Sequence, residues 1–137
     1  MNEKHLRPII RVNEVMKKEF DTVDGLDTIE SALKKMKYVS TKCVVVNKRH
    51  ENDEYGILLI SDIARKVLAS DKAPDRVNVY EVMAKPVVSV DHSMDVKYCA
   101  RLFDRLDISR APVMDKGEVV GIVSLTDLVL KGLSASN

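Results

Sequence analysis

Tryptophan is absent from this 137-residue chain, and aromatic side chains make up only 4% of it. A platform that stacks single-stranded bases needs exposed rings, so the scarcity argues against one. Neither sign of charge is in excess: 22 basic against 21 acidic residues leave a formal net charge of +1, with no global pull toward nucleic acid. The short basic run Lys34-Lys35-Lys37 reads as exposed helix surface. No apolar run approaches the ~20 residues that span a bilayer. The stretch from Met1 to Val12 is charged and lacks the apolar centre of a secretory signal, so no membrane role is expected and the cytoplasm is the default location. Cys43 and Cys99 are the only cysteines, too few for a disulfide framework, and both fall at positions that read as core. His5, His50 and His92 have neither an i, i+4 partner nor a cysteine pair, so metal-ligand spacing is missing. With 5 glycines there is no Gly-rich phosphate loop, and no nucleophile stands beside a candidate base, so the chain reads as a non-enzyme. Asp104 and Asp107 are spaced as on a solvated helix face.

What the chain does contain is a repeat. Val12-Asn13-Glu14-Val15-Met16 returns as Val79-Tyr80-Glu81-Val82-Met83, an offset of 79 − 12 = 67. Lys18, Val23 and Asp24 return at the same offset as Lys85, Val90 and Asp91, and Gly56-Ile57 and Asp62 return 65 residues on as Gly121-Ile122 and Asp127. A long period occurring twice indicates two supersecondary units packed face to face, with a seam where a ligand can lodge. An apolar fraction of 45% is ample for their cores.

Each copy shows the same order of elements. An extended piece (Asp21-Thr22-Val23, or Val87-Val88-Ser89-Val90) precedes a helix. Asp27 or Thr28 is the cap of the first helix, followed by Ile29, Ala32, Leu33, Met36 and Val39; Asp95 leads Val96, Cys99, Ala100, Phe103 and Leu106 in the second. Strands are expected at Cys43 to Val46 and Ala111 to Met114, returning at Glu54 to Leu59 and Glu118 to Leu125. Lys116-Gly117 signals a tight turn, whereas the polar stretch Asn47 to Glu54 makes the first hairpin three residues longer and reads as a solvated loop. Ser61 and Thr126 are natural N-caps for the closing helices. The expected fold is α/β (α+β): two β-α-β-β-α units packed pseudo-symmetrically through their sheets. Their boundaries are an N-terminal extension over 1–11, a first unit over 12–70, a linker over 71–76, a second unit over 77–133 and a tail over 134–137.

This ordered set, with Ala111-Pro112-Val113 and Gly121-Ile122-Val123-Ser124-Leu125-Thr126-Asp127, resembles the CBS domain pair, or Bateman module, from about Val12 to Leu133. The resemblance implies a regulatory protein with clefts for adenosine-containing ligands (AMP, ADP, ATP, S-adenosylmethionine or NAD), no required cofactor, and association into a disc-shaped homodimer through helices. It also assigns roles. Asp127 accepts ribose hydroxyls and Ser124 helps hold a phosphate, beside the helix start at Thr126. Arg110 reaches phosphate from the end of the Ala111-Pro112 strand, and Val87, Val88 and Ser89 border the adenine. The physical chemistry agrees, because charge-assisted bonds to a carboxylate are strong and a helix start favours an anion. The same aspartate also gains from the helix dipole with no ligand present.

In the first unit the corresponding set is Asp62, Ser61, Lys42, Cys43, Phe20 and Thr22, with three departures. Leu59 stands where the hydroxyl is expected, Val44 where Pro112 is, and Asp21 adds a negative charge at the position matching Val88 by offset, which Lys42 offsets if it aligns with Arg110. The second unit is therefore expected to be the better site. The leading reading is a stand-alone sensor that binds its ligand in the inter-unit cleft and signals to an effector protein. The competing one is a dimeric scaffold with no small-molecule ligand.

Overall fold

The computed structural model describes residues 8–133, which form two compact units, each with its own three-stranded sheet and core. The first unit is Glu19–Val87; the second joins residues 8–18 to residues 88–133. Both are mixed α/β, as expected. Of the terminal segments expected at 1–11 and 134–137, residues 1–7 and 134–137 lie outside the described residues.

In the first unit β1 (Thr22–Val23), β2 (Cys43–Val46) and β3 (Gly56–Leu59) lie in that order, β1 parallel to β2 and β3 antiparallel to it. All four residues of β2 are buried, which is why the strand reads as continuously apolar instead of alternating. The helix α2 (Ile29–Lys35) starts at Thr28, whose Oγ1 accepts from the Ser31 N–H at 3.1 Å, so Thr28 and not Asp27 is the cap. It stops before Val39, which is exposed in a 3-10 turn. The Asp21 carboxylate accepts from the Lys37 and Tyr38 N–H groups just past that helix, so the charge that seemed hostile to phosphate is a structural acceptor. After β3, α3 (Ile60–Ile63) runs on into π-helical turns over Ala64–Leu68.

The second unit repeats this plan with β4 (Val90–Asp91), β5 (Arg110–Asp115) and β6 (Glu118–Ser124). Its long helix α4 (Val96–Leu106) is capped by Asp95, which accepts from the Lys97 N–H at 2.9 Å. Cys99 and Phe103 on this helix are 0% exposed, and a fully buried Phe contributes about 1.5–3 kcal/mol. Burial pushes the Cys99 thiol up to about 11, in keeping with a core residue. Lys116 and Gly117 both have positive φ, 51° and 80°, the twist that a two-residue hairpin turn requires. The helix α5 (Leu125–Asp127) continues as π-helical turns over Leu128–Leu133.

Sequence repeat and packing unit are offset by one segment. The one-turn helix α1 (Val12–Val15) contributes Val12 and Val15 to the second unit's core, whereas Val79 and Val82 belong to the first unit's core. Backbone bonds explain why the letters match so closely. The Val12 N–H donates to the Met94 carbonyl and the Val79 N–H to that of Asp27; the Val96 N–H donates to Ile10 and the Ile29 N–H to Val77. Glu14 and Glu81 close the two turns by accepting from the Arg11 and Asn78 N–H groups at 2.7 and 2.8 Å. The repeated glycines also follow from this docking. Lys17 exchanges two backbone bonds with Ile122, and a Cβ on Gly121 would lie 2.6 Å from Met16 Sδ and 2.7 Å from the Lys17 carbonyl oxygen.

Candidate functional site at the end of the sixth strand

The expected ribose acceptor of the second unit sits where β6 turns into α5. Ser124 is the N-cap: its Oγ accepts from the Asp127 N–H at 3.1 Å, while its N–H and hydroxyl donate to Asp127 Oδ2 at 3.2 and 3.0 Å. This corrects the choice of Thr126, which is exposed in the first turn, and it occupies the Asp127 N–H at the helix start. Ser124 is itself buried. The other oxygen, Asp127 Oδ1, accepts from Lys17 Nζ at 2.8 Å, with Lys131 Nζ at 3.7 Å. Asp127 is 3% exposed. Burial raises its carboxyl, but hydrogen bonds from Lys17 and Ser124, together with the Lys17 charge, more than offset this and leave it below the ordinary carboxylate value.

Arg110 pairs with Ser124 across the β5–β6 ladder, and Ala111 and Pro112 are buried opposite Val123 and Ile122. Val88 and Ser89 are exposed just ahead of β4. Val87 is the last residue of the first unit, its N–H donating to the Tyr55 carbonyl at 3.2 Å.

The first unit's counterpart differs in kind. Leu59 is the N-cap of α3 with no side-chain cap bond, so Ser61 is an exposed residue inside the helix and not its cap. Asp62 pairs with Arg65 one turn along the same helix. Strand register corrects the alignment: Cys43 pairs with Leu59 as Arg110 pairs with Ser124, so Cys43, not Lys42, occupies the Arg110 position. By the same register Val45, not Val44, stands at Pro112, and the first hairpin is two residues longer, not three, since 56 − 46 = 10 against 121 − 113 = 8. Lys42 is exposed in a left-handed conformation, Phe20 is half-buried, and Thr22 is exposed on β1.

Two site features escaped sequence reasoning. Lys131, four residues past Asp127 on the same helix, was within reach of the i, i+4 rule; Lys17, 110 residues away, carried no signal. Two cavities also lie away from the expected residues. One of about 820 Å³ in the first unit is lined by the Asp24–Asp27 turn, the start of the long hairpin, Tyr80 and Lys85. Part of that hairpin is anchored and not simply solvated, because Asp53 takes both Arg49 and Lys85. The other cavity, about 440 Å³ in the second unit, is an apolar groove beside the exposed Ile9, Val129 and Leu133. Among the described residues no three His, Cys, Asp or Glu side chains come together to hold a metal, and no helix is long and apolar enough to cross a membrane.

The CBS domain model matches twice, over residues 12–69 and 79–133, so this chain belongs to the CBS domain family and carries a CBS pair. Over 122 residues it is 30% identical to an uncharacterised protein of Methanopyrus kandleri, covering 88% of this chain and only 61% of that protein's length. A CBS domain-containing protein of Bacillus subtilis is 29% identical over 123 residues, 90% of this chain and 86% of that one. Among solved structures, a hexameric CBS-CP12 protein from bloom-forming cyanobacteria is similar at 39% identity and a TM-score of 0.85, covering 90% of this chain and 71% of that one. The CBS domain pair of protein MJ0100, in complex with 5′-methylthioadenosine and S-adenosyl-L-methionine, is similar at 25% identity and a TM-score of 0.75, covering 95% and 100%.

Proposed function

We propose that this CBS pair is a regulatory, non-catalytic module that takes an adenosine-containing ligand at the Ser124–Asp127 corner of the second unit and signals to an effector protein. The observation that carries the reading is a carboxylate held rigid by its own helix cap, with Lys17 and Lys131 beside it and Arg110 across the strand ladder from Ser124. A fixed carboxylate accepts the two vicinal hydroxyls of a ribose, and the cations suit a phosphate or carboxylate on the same molecule. The adenosyl compounds bound by the related MJ0100 pair support this ligand class. AMP, ADP, ATP, S-adenosylmethionine and NAD are the candidates. The first unit is the weaker site, having Leu59 for the hydroxyl and Cys43 for the guanidinium.

Calorimetric titration with this panel tests the reading. Asp127→Ala is expected to weaken binding about tenfold or more, the value of a lost charge-assisted bond, and Asp62→Ala about twofold or less. Asp127→Asn, which keeps an acceptor for Ser124, controls for folding. Equal losses at both aspartates would overturn the asymmetry. The apolar groove beside Ile9, Val129 and Leu133 favours a second reading, a module that assembles with copies of itself or a partner and binds no small molecule. A chain that self-associates and releases no heat with any compound of the panel would favour it.

A further inference from the structure

We propose that Lys17 is a specificity determinant: it selects ligands that carry an anionic group beside the ribose, by an exchange of ion partners at Asp127. The inference rests on the ligand reading above. In the structure the Asp127 carboxylate accepts three hydrogen bonds, Oδ1 from Lys17 at 2.8 Å and Oδ2 from the Ser124 N–H and hydroxyl at 3.2 and 3.0 Å, with Lys131 Nζ 3.7 Å from Oδ1, which leaves about one of its roughly four acceptor positions open. The Ser124 bonds belong to the helix cap and are kept. Two ribose hydroxyls therefore find room only if Lys17 lets go.

Once released, the Lys17 ammonium needs a new partner, because its side chain is only 29% exposed and an unpaired charge in such a place is costly. A neutral nucleoside takes the carboxylate and strands the lysine. A nucleoside monophosphate takes the carboxylate with its ribose and offers its phosphate to the lysine, so both ions remain paired. A lysine suits this transfer, having three donors on a flexible four-carbon stem.

The internal repeat provides the comparison that singles Lys17 out. Lys17 and Ala84 hold the same place in their units, each exchanging two backbone bonds with the isoleucine that follows the repeated glycine: Lys17 with Ile122 at 2.8 and 2.9 Å, Ala84 with Ile57 at 2.9 and 2.9 Å. Ala84 brings no charge, and Asp62 turns instead to Arg65 on its own helix. Among the described residues, a cation delivered from a distant segment onto the aspartate is found in one unit only.

The test uses the full chain as wild type, Lys17→Ala and Lys17→Gln, each titrated with AMP and with 5′-methylthioadenosine, which lacks the phosphate. Lys17→Ala installs the residue the other unit carries. Lys17→Gln keeps a neutral donor for Oδ1 and covers the case in which the alanine variant does not fold. The wild type is expected to prefer AMP by about tenfold or more, the value of one charge-assisted contact. Both variants are expected to bind 5′-methylthioadenosine more tightly and AMP more weakly, so that the preference falls about tenfold. An ion pair that is merely structural changes both affinities by one factor. An unchanged AMP preference in the variants, or none in the wild type, would overturn the proposal while leaving the ligand reading intact. No binding of either compound to any of the three proteins would overturn both.

Discussion

Gly121 and Gly56 occupy matching places with unequal tolerance. A Cβ at Gly121 meets Met16 Sδ at 2.6 Å and, at 2.7 Å, a backbone oxygen that is itself tied into the Lys17–Ile122 bridge and cannot retreat. At Gly56 the corresponding approaches are 3.0 Å to the flexible end of Met83 and 3.2 Å to the Ala84 oxygen. Gly121→Ala should therefore destabilise by about 2–3 kcal/mol and Gly56→Ala by about 1 kcal/mol, the range for overpacking. Urea denaturation of the two variants checks this, and equal or reversed losses would refute it. The glycines were visible in the sequence because they repeat, and so was Asp127; Ser124 has no copy and stood out only through the family pattern. Their partners were not visible. Ser124 and Thr126 are both chemically fit to cap the helix, and only the backbone course decides between them. Lys17 reaches Asp127 through a segment docked from far along the chain, and no local pattern encodes that.

Among the elements, central strands and the long helix were readable because apolar runs and 3.6-residue spacing report burial directly. The α2 end, the hairpin register and the anchored loop were not, since they depend on which polar groups find partners. Asp53 shows the point: in a stretch that looks merely solvated, its carboxylate takes hydrogen bonds from Arg49 and from Lys85, 32 residues on, and these hold it far below the usual carboxylate range. A carboxyl group depressed on folding adds stability that is complete above its unfolded value and is lost as pH falls through the folded one. Asp127 is depressed as well and acts with the same sign. The melting temperature should accordingly be steady near neutrality and fall once the pH drops below about 4, where unfolded carboxylates begin to protonate. Asp53→Asn should melt lower at pH 7 and lose less on acidification. A variant whose melting curve against pH runs parallel to the wild type would show that the Asp53 anchor contributes nothing.

For the whole molecule, the offset between repeat and packing unit determines where the chain can be cut. The family match and the sequence copies both place the first unit near 12–70, yet three of the residues that build its core, Val77, Val79 and Val82, lie beyond that range. A fragment of residues 12–70 would also expose Val12 and Val15, which are buried only in the second unit's core. Burying one valine contributes about 1.5–3 kcal/mol, so losing three removes roughly 5–9 kcal/mol. A unit of this size holds only about 3–10 kcal/mol in all, at 0.05–0.15 kcal/mol per residue. The fragment 12–70 should therefore show no cooperative transition by circular dichroism in urea. The fragment 19–87, ten residues longer, keeps every residue of that core cluster and should show one. The two fragments share residues 19–70, so the comparison sets the segment 12–18 against the segment 71–87. Cooperative unfolding of 12–70 at a midpoint equal to that of 19–87 would mean that the opening turn of each repeat can serve its own sheet, and the offset would then carry no energetic weight.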